Sequence, residues 1–138
     1  MLHIETVEPN TFSLLEDLMK LPDLKAFSLV GGTALSLLYG HRTSVDLDLF
    51  SNEHFENKNL EKALEKKFKK SFDNRTSTPR FGIFCFIDNI KVDLVRHPHP
   101  QIRPGVNLDG IRMFSKEDII AATEAVLHFS ENINPMDA

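Results

Sequence analysis

The stretch "LVGGTALSLLYGHRTSVDLDLF", Leu29 to Phe50, decides the fold of this 138-residue chain. It begins at the end of an apolar segment, passes through two glycines into a short apolar helix pattern, and ends where Asp46 and Asp48 alternate with apolar residues. Alternating polarity is typical of strands, and glycines between a strand and a helix allow a close turn of the backbone. The stretch therefore predicts a strand, a helix and a second strand.

Three further segments have helical periodicity. The first helix is expected to begin near Asn10 or Thr11 as its cap and to end before Pro22. In "NLEKALEKKFKKSF" the apolar residues fall four apart, which predicts an amphipathic surface helix. A last helix is expected from Ser115, with Asp118 completing a capping arrangement.

The segment "RFGIFCFIDNIKVDLVRH" predicts a β-hairpin. Asp88 and Asn89 separate two β-rich runs, and both residue types tolerate the positive φ of a tight turn. Strands and helices in this mixture predict one α/β or α+β domain over residues 1–138, with a mixed sheet of about four to five strands flanked by helices.

Length and composition are those of a single-domain protein. The chain is 41% hydrophobic and 26% charged, and no apolar run approaches the ~20 residues that a membrane helix needs. The first residues lack the basic and apolar pattern of a secretory signal. We therefore expect a cytoplasmic protein without a membrane role.

The charge of the chain is unevenly distributed. A net charge of −4 argues against a generally basic nucleic-acid binder. Residues 58–70 nevertheless contain six lysines and two glutamates, a local charge of +4. Such a run is either the solvated face of a helix or a contact for nucleic-acid phosphates, and the sequence alone favours the first.

The aspartates point to a metal. On one strand, Asp46 and Asp48 would share a face about 6.6 Å apart, where two like charges resist desolvation. A divalent cation would relieve this repulsion, and carboxylate oxygens suit Mg²⁺, with Mn²⁺ as an alternative. Asp93 in "KVDLV" also lies among apolar residues, and it would add a third carboxylate if its strand were adjacent.

The glycine pair predicts a phosphate site. Gly31 and Gly32 precede a helix, so backbone N–H groups and the positive end of the helix dipole would face an anion. The Thr33 hydroxyl would add a donor. Phosphate at one end and metal at the other end of this stretch favour a nucleotide site.

These motifs resemble those of a known superfamily. A Gly-Gly pair, a short helix, Asp-x-Asp and a later lone Asp resemble the nucleotidyltransferases that include DNA polymerase β. Within them, "GGTAL", "GHRTSVDLDLF", "KVDLV" and "GIRMFSKEDIIAA" are similar to the AbiEii toxin family of type IV toxin-antitoxin systems, over Phe27 to Ala122. The resemblance implies a magnesium-dependent enzyme that transfers a nucleoside monophosphate from a nucleoside triphosphate to an acceptor hydroxyl. RNA is the expected acceptor, and a protein or a small hydroxylated compound are the alternatives. It also implies an antitoxin or regulator encoded nearby as a partner.

The resemblance also implies two sets of site residues. Those that contact the phosphates of the nucleotide are Gly31, Gly32, Thr33, Arg42 and Ser44. Those that bind the metal and serve catalysis are Asp46, Asp48 and Asp93, and the last would help to activate the acceptor hydroxyl. A loop arginine paired with a nearby acid explains Arg42 equally well.

One family position differs in this chain. Family members usually have a lysine in the helix after the hairpin, and that position falls on Thr123. The residues that could replace its charge are Arg80, Arg96, Arg103 and Lys116. Two alternatives to an enzyme therefore stay open: a degenerate nucleotide or metal binder that acts through interaction, and a structural module with solvated acids.

A pair of histidines is the remaining metal candidate. His97 and His99 alternate with prolines in "HPHPQIRPG". We interpret this segment as an extended surface loop and not as a metal site, since no cysteine or third histidine accompanies it.

Overall fold

A seven-stranded mixed sheet with helices packed against it forms the centre of the molecule. The computed structural model describes residues 2–40, 45–74, 82–97 and 100–122. The helices are α1 (Pro9–Lys20), α2 (Gly31–Tyr39) and α3 (Asn57–Phe68), followed by helical backbone at residues 116–122. The strands are β1 (Phe27–Val30), β2 (Leu47–Ser51), β3 (Phe72–Asp73), β4 (Gly82–Ile87), β5 (Ile90–Arg96), β6 (Val106–Leu108) and β7 (Ile111–Met113), in the order β3-β4-β5-β2-β1-β7-β6.

The predicted strand, helix and strand unit is confirmed as β1, α2 and β2. The two strands pair antiparallel, and Val30 lies opposite Asp48. Leu47 and Leu49 are fully buried on one face of β2, so the apolar half of the alternation belongs to the core. α2 ends at Tyr39, and its C-cap Gly40 has a φ of 70°, the left-handed conformation that glycine tolerates.

The predicted hairpin is also confirmed. β4 and β5 pair antiparallel around Asp88 and Asn89, which adopt φ of 54° and 64°. β5 then pairs in parallel with β2, and this pairing sets Asp93 directly beside Asp48. The hairpin thus extends the sheet on the side of β2 that is away from β1.

The mixed sheet is as predicted, but it has seven strands and not four to five. The strands that the sequence did not predict are β3, β6 and β7, which have only two or three residues each. An alternating pattern needs about four residues to be recognised, so pairing with neighbouring strands decides these elements.

The helix boundaries differ in one place. α1 begins at Pro9 and not at Asn10 or Thr11, because the Glu8 side chain caps it by accepting from the Thr11 N–H at 2.9 Å. The predicted cap at the C-terminal helix is confirmed, since the Asp118 N–H donates to Ser115 Oγ at 3.1 Å. In the described residues no helix has the length and apolarity to span a membrane.

The amphipathic helix predicted in the lysine-rich segment is α3. Leu60 and Leu64 are buried, whereas Lys58, Lys62 and Lys66 are exposed. The helix packs on the end of the sheet formed by β3 and β4, where the Asn57 side chain donates to the Gly82 carbonyl at 3.3 Å. The lysines therefore form its solvent face.

Candidate nucleotide and metal site

Asp48 and Asp93 form the centre of the candidate site. They are directly paired residues of the adjacent parallel strands β2 and β5, so both carboxylates lie on the same face of the sheet. Adjacent strands are about 4.8 Å apart, which brings the two acids side by side. Phe84 lies beside Asp93 on β4 and Val30 beside Asp48 on β1, so apolar residues flank the pair in its row.

Gly31 at the start of α2 lies directly against Asp48. A Cβ atom at this glycine would be 3.1 Å from Asp48 Cγ and closer still to its Oδ2, and the φ of Gly31 is +76°. Both the close approach and the left-handed backbone require glycine. The first glycine of the pair therefore lets the beginning of the helix approach the carboxylate.

Asp48 resists ionisation. Its pKa is raised from 3.8 to about 6, chiefly because the carboxyl is largely buried and also because Asp93 is a like charge beside it. Lys91 opposes this rise, and Asp46 adds to it. A divalent cation would relieve the repulsion between the two carboxylates.

Asp93 is the more buried acid, at 9% exposure. Burial raises the pKa of its carboxyl, while Lys91, whose Nζ lies 3.4 Å from Asp93 Oδ2, lowers it. Asp93 Oδ1 is buried and has no hydrogen-bond partner among the described residues. A hard oxygen without a partner, next to a second carboxylate, fits the donor set that Mg²⁺ or Mn²⁺ prefers.

Asp46 lies beside the pair and outside the strand. It precedes β2 and is exposed, although it is close enough to raise the pKa of both other acids. No group of three His, Cys, Asp or Glu side chains that could hold one metal ion occurs within the described residues. The structure thus brings two of the three predicted carboxylates together, and metal binding by Asp46 stays a prediction.

Thr33 has a different contact from the expected one. Its hydroxyl is buried and donates to the Asp46 backbone carbonyl, which ties the first turn of α2 to the beginning of β2. Because the Thr33 hydroxyl is used in this contact, the donors that we expect for a phosphate are the backbone N–H groups in the first turn of α2. The N-cap residue of α2 is Val30, whose apolar side chain offers no acceptor to the first N–H groups of the helix.

A comparison with models of protein families identifies the family of this chain. The model of the family described as "Nucleotidyl transferase AbiEii toxin, Type IV TA system" matches residues 13–122. The chain belongs to the AbiEii family. No curated protein is detectably similar to it.

Solved structures of low sequence identity have the same fold. A proposed nucleotidyltransferase from Thermotoga maritima is 16% identical with a TM-score of 0.60, over 91% of this chain and 89% of that one. Two Helicobacter pylori structures, a proposed nucleotidyltransferase and JHP933, are each 19% identical, with TM-scores of 0.50 and 0.54 over 83% and 88% of this chain. This chain spans 58% and 57% of their respective lengths.

Several residues that the AbiEii resemblance singled out lie outside the described residues. They are Arg42, Ser44, Arg80 and Thr123, together with His99. Among the other candidate cations, Arg103 lies 3.8 Å from Glu117, and Lys116 lies 5.8 Å from the centre of the Tyr39 ring. Arg96 is exposed at the end of β5.

His97 is buried, which corrects the surface-loop interpretation for this residue. Its ring stacks on Phe50 at 5.6 Å between centroids and lies 5.8 Å from Phe114. Its backbone N–H donates to the Ser51 carbonyl at 2.7 Å. The sequence pattern could not reveal this, because the parallel pairing of β5 with β2 carries His97 into the core.

Two cations with defined roles escaped the sequence analysis. Lys91 is two residues before Asp93, and this strand spacing was a usable signal that the two side chains share a face. Arg112 donates to three backbone carbonyls, those of Met19, Leu24 and Phe27, each at 3.0 Å. Its role is structural, since it holds the end of α1 and the following turn against β1.

Proposed function

We propose that this AbiEii protein is a nucleotidyltransferase that moves a nucleoside monophosphate from a nucleoside triphosphate to a hydroxyl of an RNA acceptor. The observation that supports this most is the paired carboxylates of Asp48 and Asp93 next to the beginning of α2, whose Gly31 lies against Asp48. Backbone N–H groups suited to an anion and carboxylate oxygens suited to a metal would then act together at one place in the fold.

The chain would bind the phosphates through its backbone. The N–H groups of Gly31, Gly32 and Thr33 lie in the first turn of α2, where the helix dipole also favours negative charge. Gly31 allows this turn to lie against Asp48, so a phosphate bound there would be close to the acids. Arg42 and Ser44 are proposed as additional phosphate contacts.

Asp48 and Asp93 would hold Mg²⁺ or Mn²⁺, and Asp46 is proposed as a further ligand from its exposed position. When bound, the cation would neutralise charge on the phosphate oxygens and polarise the phosphorus for attack. Because the pKa of Asp48 is about 6, protons would compete with the cation for this carboxylate as pH falls below about 6.

The reaction itself requires mainly positioning. The oxygen of the acceptor hydroxyl forms a bond to the α-phosphorus. The bond between the α-phosphorus and the pyrophosphate oxygen breaks, and pyrophosphate leaves with the electron pair. Asp93 would orient the acceptor and receive its proton, since its Oδ1 atom has no partner among the described residues. Apolar neighbours such as Val30 and Phe84 would limit water near the acids.

The proposed biological setting follows from the family. A type IV toxin would act in the cytoplasm, and an antitoxin protein or regulator encoded nearby would limit its activity. A transferred nucleotide on an RNA end would block the use of that RNA, which suits a toxin.

The test is transfer of label to RNA. The wild-type protein is incubated with each α-³²P-labelled nucleoside triphosphate, MgCl₂ and total cellular RNA, in parallel with Asp48→Asn. A labelled RNA band that is absent with the variant and with EDTA is the expected result. Equal labelling by the wild type and the variant would contradict the proposal.

A second candidate is a protein that binds a nucleotide without transferring it. The exposed position of Asp46, apart from the carboxylate pair, favours this alternative. It would give a rise in melting temperature with Mg²⁺ and nucleotide together, but no labelled product with any triphosphate or acceptor.

A further inference from the structure

We propose that α3 binds the phosphate backbone of the RNA acceptor through a row of lysines, defined here as Lys58, Lys62 and Lys66. This inference rests on the proposed function, because it assigns the surface that would hold the acceptor during transfer. None of these residues belongs to the carboxylate site.

The spacing of the lysine row suits a charged strand. Residues four apart lie on the same helix face, about 6 Å further along the axis at each step, so the row extends for about 12 Å. Lys69 and Lys70 continue the positive charge through the short turn after the helix, and all five lysines are exposed. A row of regularly spaced cations matches the regularly spaced phosphates of a nucleic-acid strand.

The charges of the lysine row are not neutralised within the described residues, where no ion pair involves these lysines. Of the two acids on α3, Glu61 accepts a hydrogen bond from the Asn74 side chain at 3.0 Å, which directs it toward β3. Glu65 is exposed. The segment of residues 58–70 keeps a charge of +4 in a chain of net charge −4.

The positive charge of α3 is only partly balanced within the helix itself. Like charges four residues apart destabilise a helix, whereas a glutamate four residues before a lysine stabilises it. Lys58, Lys62 and Lys66 form two successive like-charge pairs, which the pairs Lys58–Glu61 and Lys62–Glu65 at a spacing of three residues offset in part. A ligand with negative charges would convert this repulsion into attraction, so the row is better suited to a complex than to the free protein.

The helix that contains the lysine row packs on the half of the sheet that also contains Asp93. α3 packs on β4 and β3, and β4 is the immediate neighbour of β5, which contains Asp93. An RNA strand held on α3 would therefore have to extend past the sheet edge formed by β3 and β4 to reach the carboxylates. Contacts to phosphate alone would hold RNAs of many sequences in this position.

The experiment compares two matched variants. K62Q/K66Q removes two charges from the lysine row, and K20Q/K25Q removes two exposed lysines elsewhere; glutamine is as good a helix former as lysine. Fluorescence anisotropy with a labelled single-stranded RNA measures Kd from about 50 to 200 mM salt. The same variants are tested for a change in melting temperature with Mg²⁺ and nucleotide, which reports on the carboxylate site and not on α3.

We expect K62Q/K66Q to weaken RNA binding about tenfold and to reduce the slope of log Kd against log salt by about 1.4, since each lysine that neutralises a phosphate of a single strand adds about 0.7 to this slope. The control should change neither value appreciably. Equal effects of the two variants would overturn the inference, as would wild-type protein that binds an acidic protein but no RNA. If either of these results is found while Mg²⁺ and nucleotide still raise the melting temperature, the inference about α3 fails but the proposed function does not.

Discussion

Two buried aspartates, Asp118 and Asp93, have opposite surroundings. Asp118 is 3% exposed, and its carboxylate accepts from the N–H groups of Ile102 and Arg103 at 2.7 and 3.0 Å and from the Ser115 hydroxyl at 2.8 Å. Burial alone would raise its pKa, but these hydrogen bonds lower it below the usual value. Asp93 is 9% exposed, Oδ1 has no hydrogen-bond partner within the described residues, and its pKa is raised.

The difference separates a structural acid from a candidate functional one. A buried carboxylate that receives several hydrogen bonds stabilises the fold, and here it holds residues 102 and 103 at the beginning of the C-terminal helix. A buried carboxylate beside another one and with an unpaired oxygen destabilises the free protein. Such a carboxylate is a candidate for a functional role, because a bound cation or substrate would give the unpaired oxygen a partner.

The largest expected effect is on catalysis. Asp48→Asn and Asp93→Asn should each reduce nucleotide transfer about a thousandfold or more, equivalent to about 4 kcal/mol, because each removes a charge that holds the metal. Single-turnover transfer of label to RNA measures the effect. Asp17→Asn, the same change at an exposed position on α1, is the control, and a loss of activity in it would make the comparison invalid.

The next largest effect is the loss of stability expected when Gly31 is replaced, compared with Gly110. Gly31→Ala should cost about 2–3 kcal/mol of unfolding free energy, since the new Cβ would collide with Asp48 and the backbone has φ of +76°. Gly110→Ala should cost only about 1 kcal/mol, because its φ is +87° but no atom lies within 4 Å of the added Cβ. Urea unfolding measures both. Equal losses would show that Gly31 does not lie against Asp48 in solution.

The structural acid should affect stability and not activity. Asp118→Ala should cost about 2 kcal/mol, since it removes the acceptor for the Ile102 and Arg103 N–H groups and for the Ser115 hydroxyl. Urea unfolding at neutral pH gives the loss. Transfer activity per folded molecule should stay within about threefold of the wild type; a much larger decrease would place Asp118 in the functional machinery.

The smallest expected effect is a gain in stability and not a loss. Asp48→Asn should stabilise the metal-free protein by about 1 kcal/mol at pH 7.5, since it removes a buried charge next to Asp93. The pKa of Asp48 is about 6 in the folded protein against an ordinary value of 3.8, so the wild type binds more protons when folded than when unfolded. Its stability relative to the variant should therefore fall as pH rises through the window from about 4 to 6.

Melting temperatures of the two proteins from pH 4 to 7.5, in EDTA, measure this difference. The curves should converge toward pH 4, where Asp48 is protonated in the folded state. A wild-type protein that is more stable than Asp48→Asn throughout this range would contradict the assignment of Asp48 as a strained acid.

Much of the fold near the site could be predicted from local sequence. Local propensity and period are decisive for features that span only a few residues. Three such features were predicted: the alternation around Asp48, the glycines before α2, and the turn at Asp88 and Asn89. The short strands β3, β6 and β7 could not be predicted, since pairing with neighbours forms them. Burial of His97 depends on the same long-range pairing.

For the candidate site, the sequence by itself determined which residue types are available: two acids in an apolar strand, a third in another, and a glycine pair before a helix. Only the tertiary structure decided their arrangement. Parallel pairing of β2 with β5 set Asp93 beside Asp48, whereas Asp46, which lies before the strand, stayed exposed. The physical reason is that side-chain period is a local property of one strand, but the register between strands depends on burial across the whole sheet.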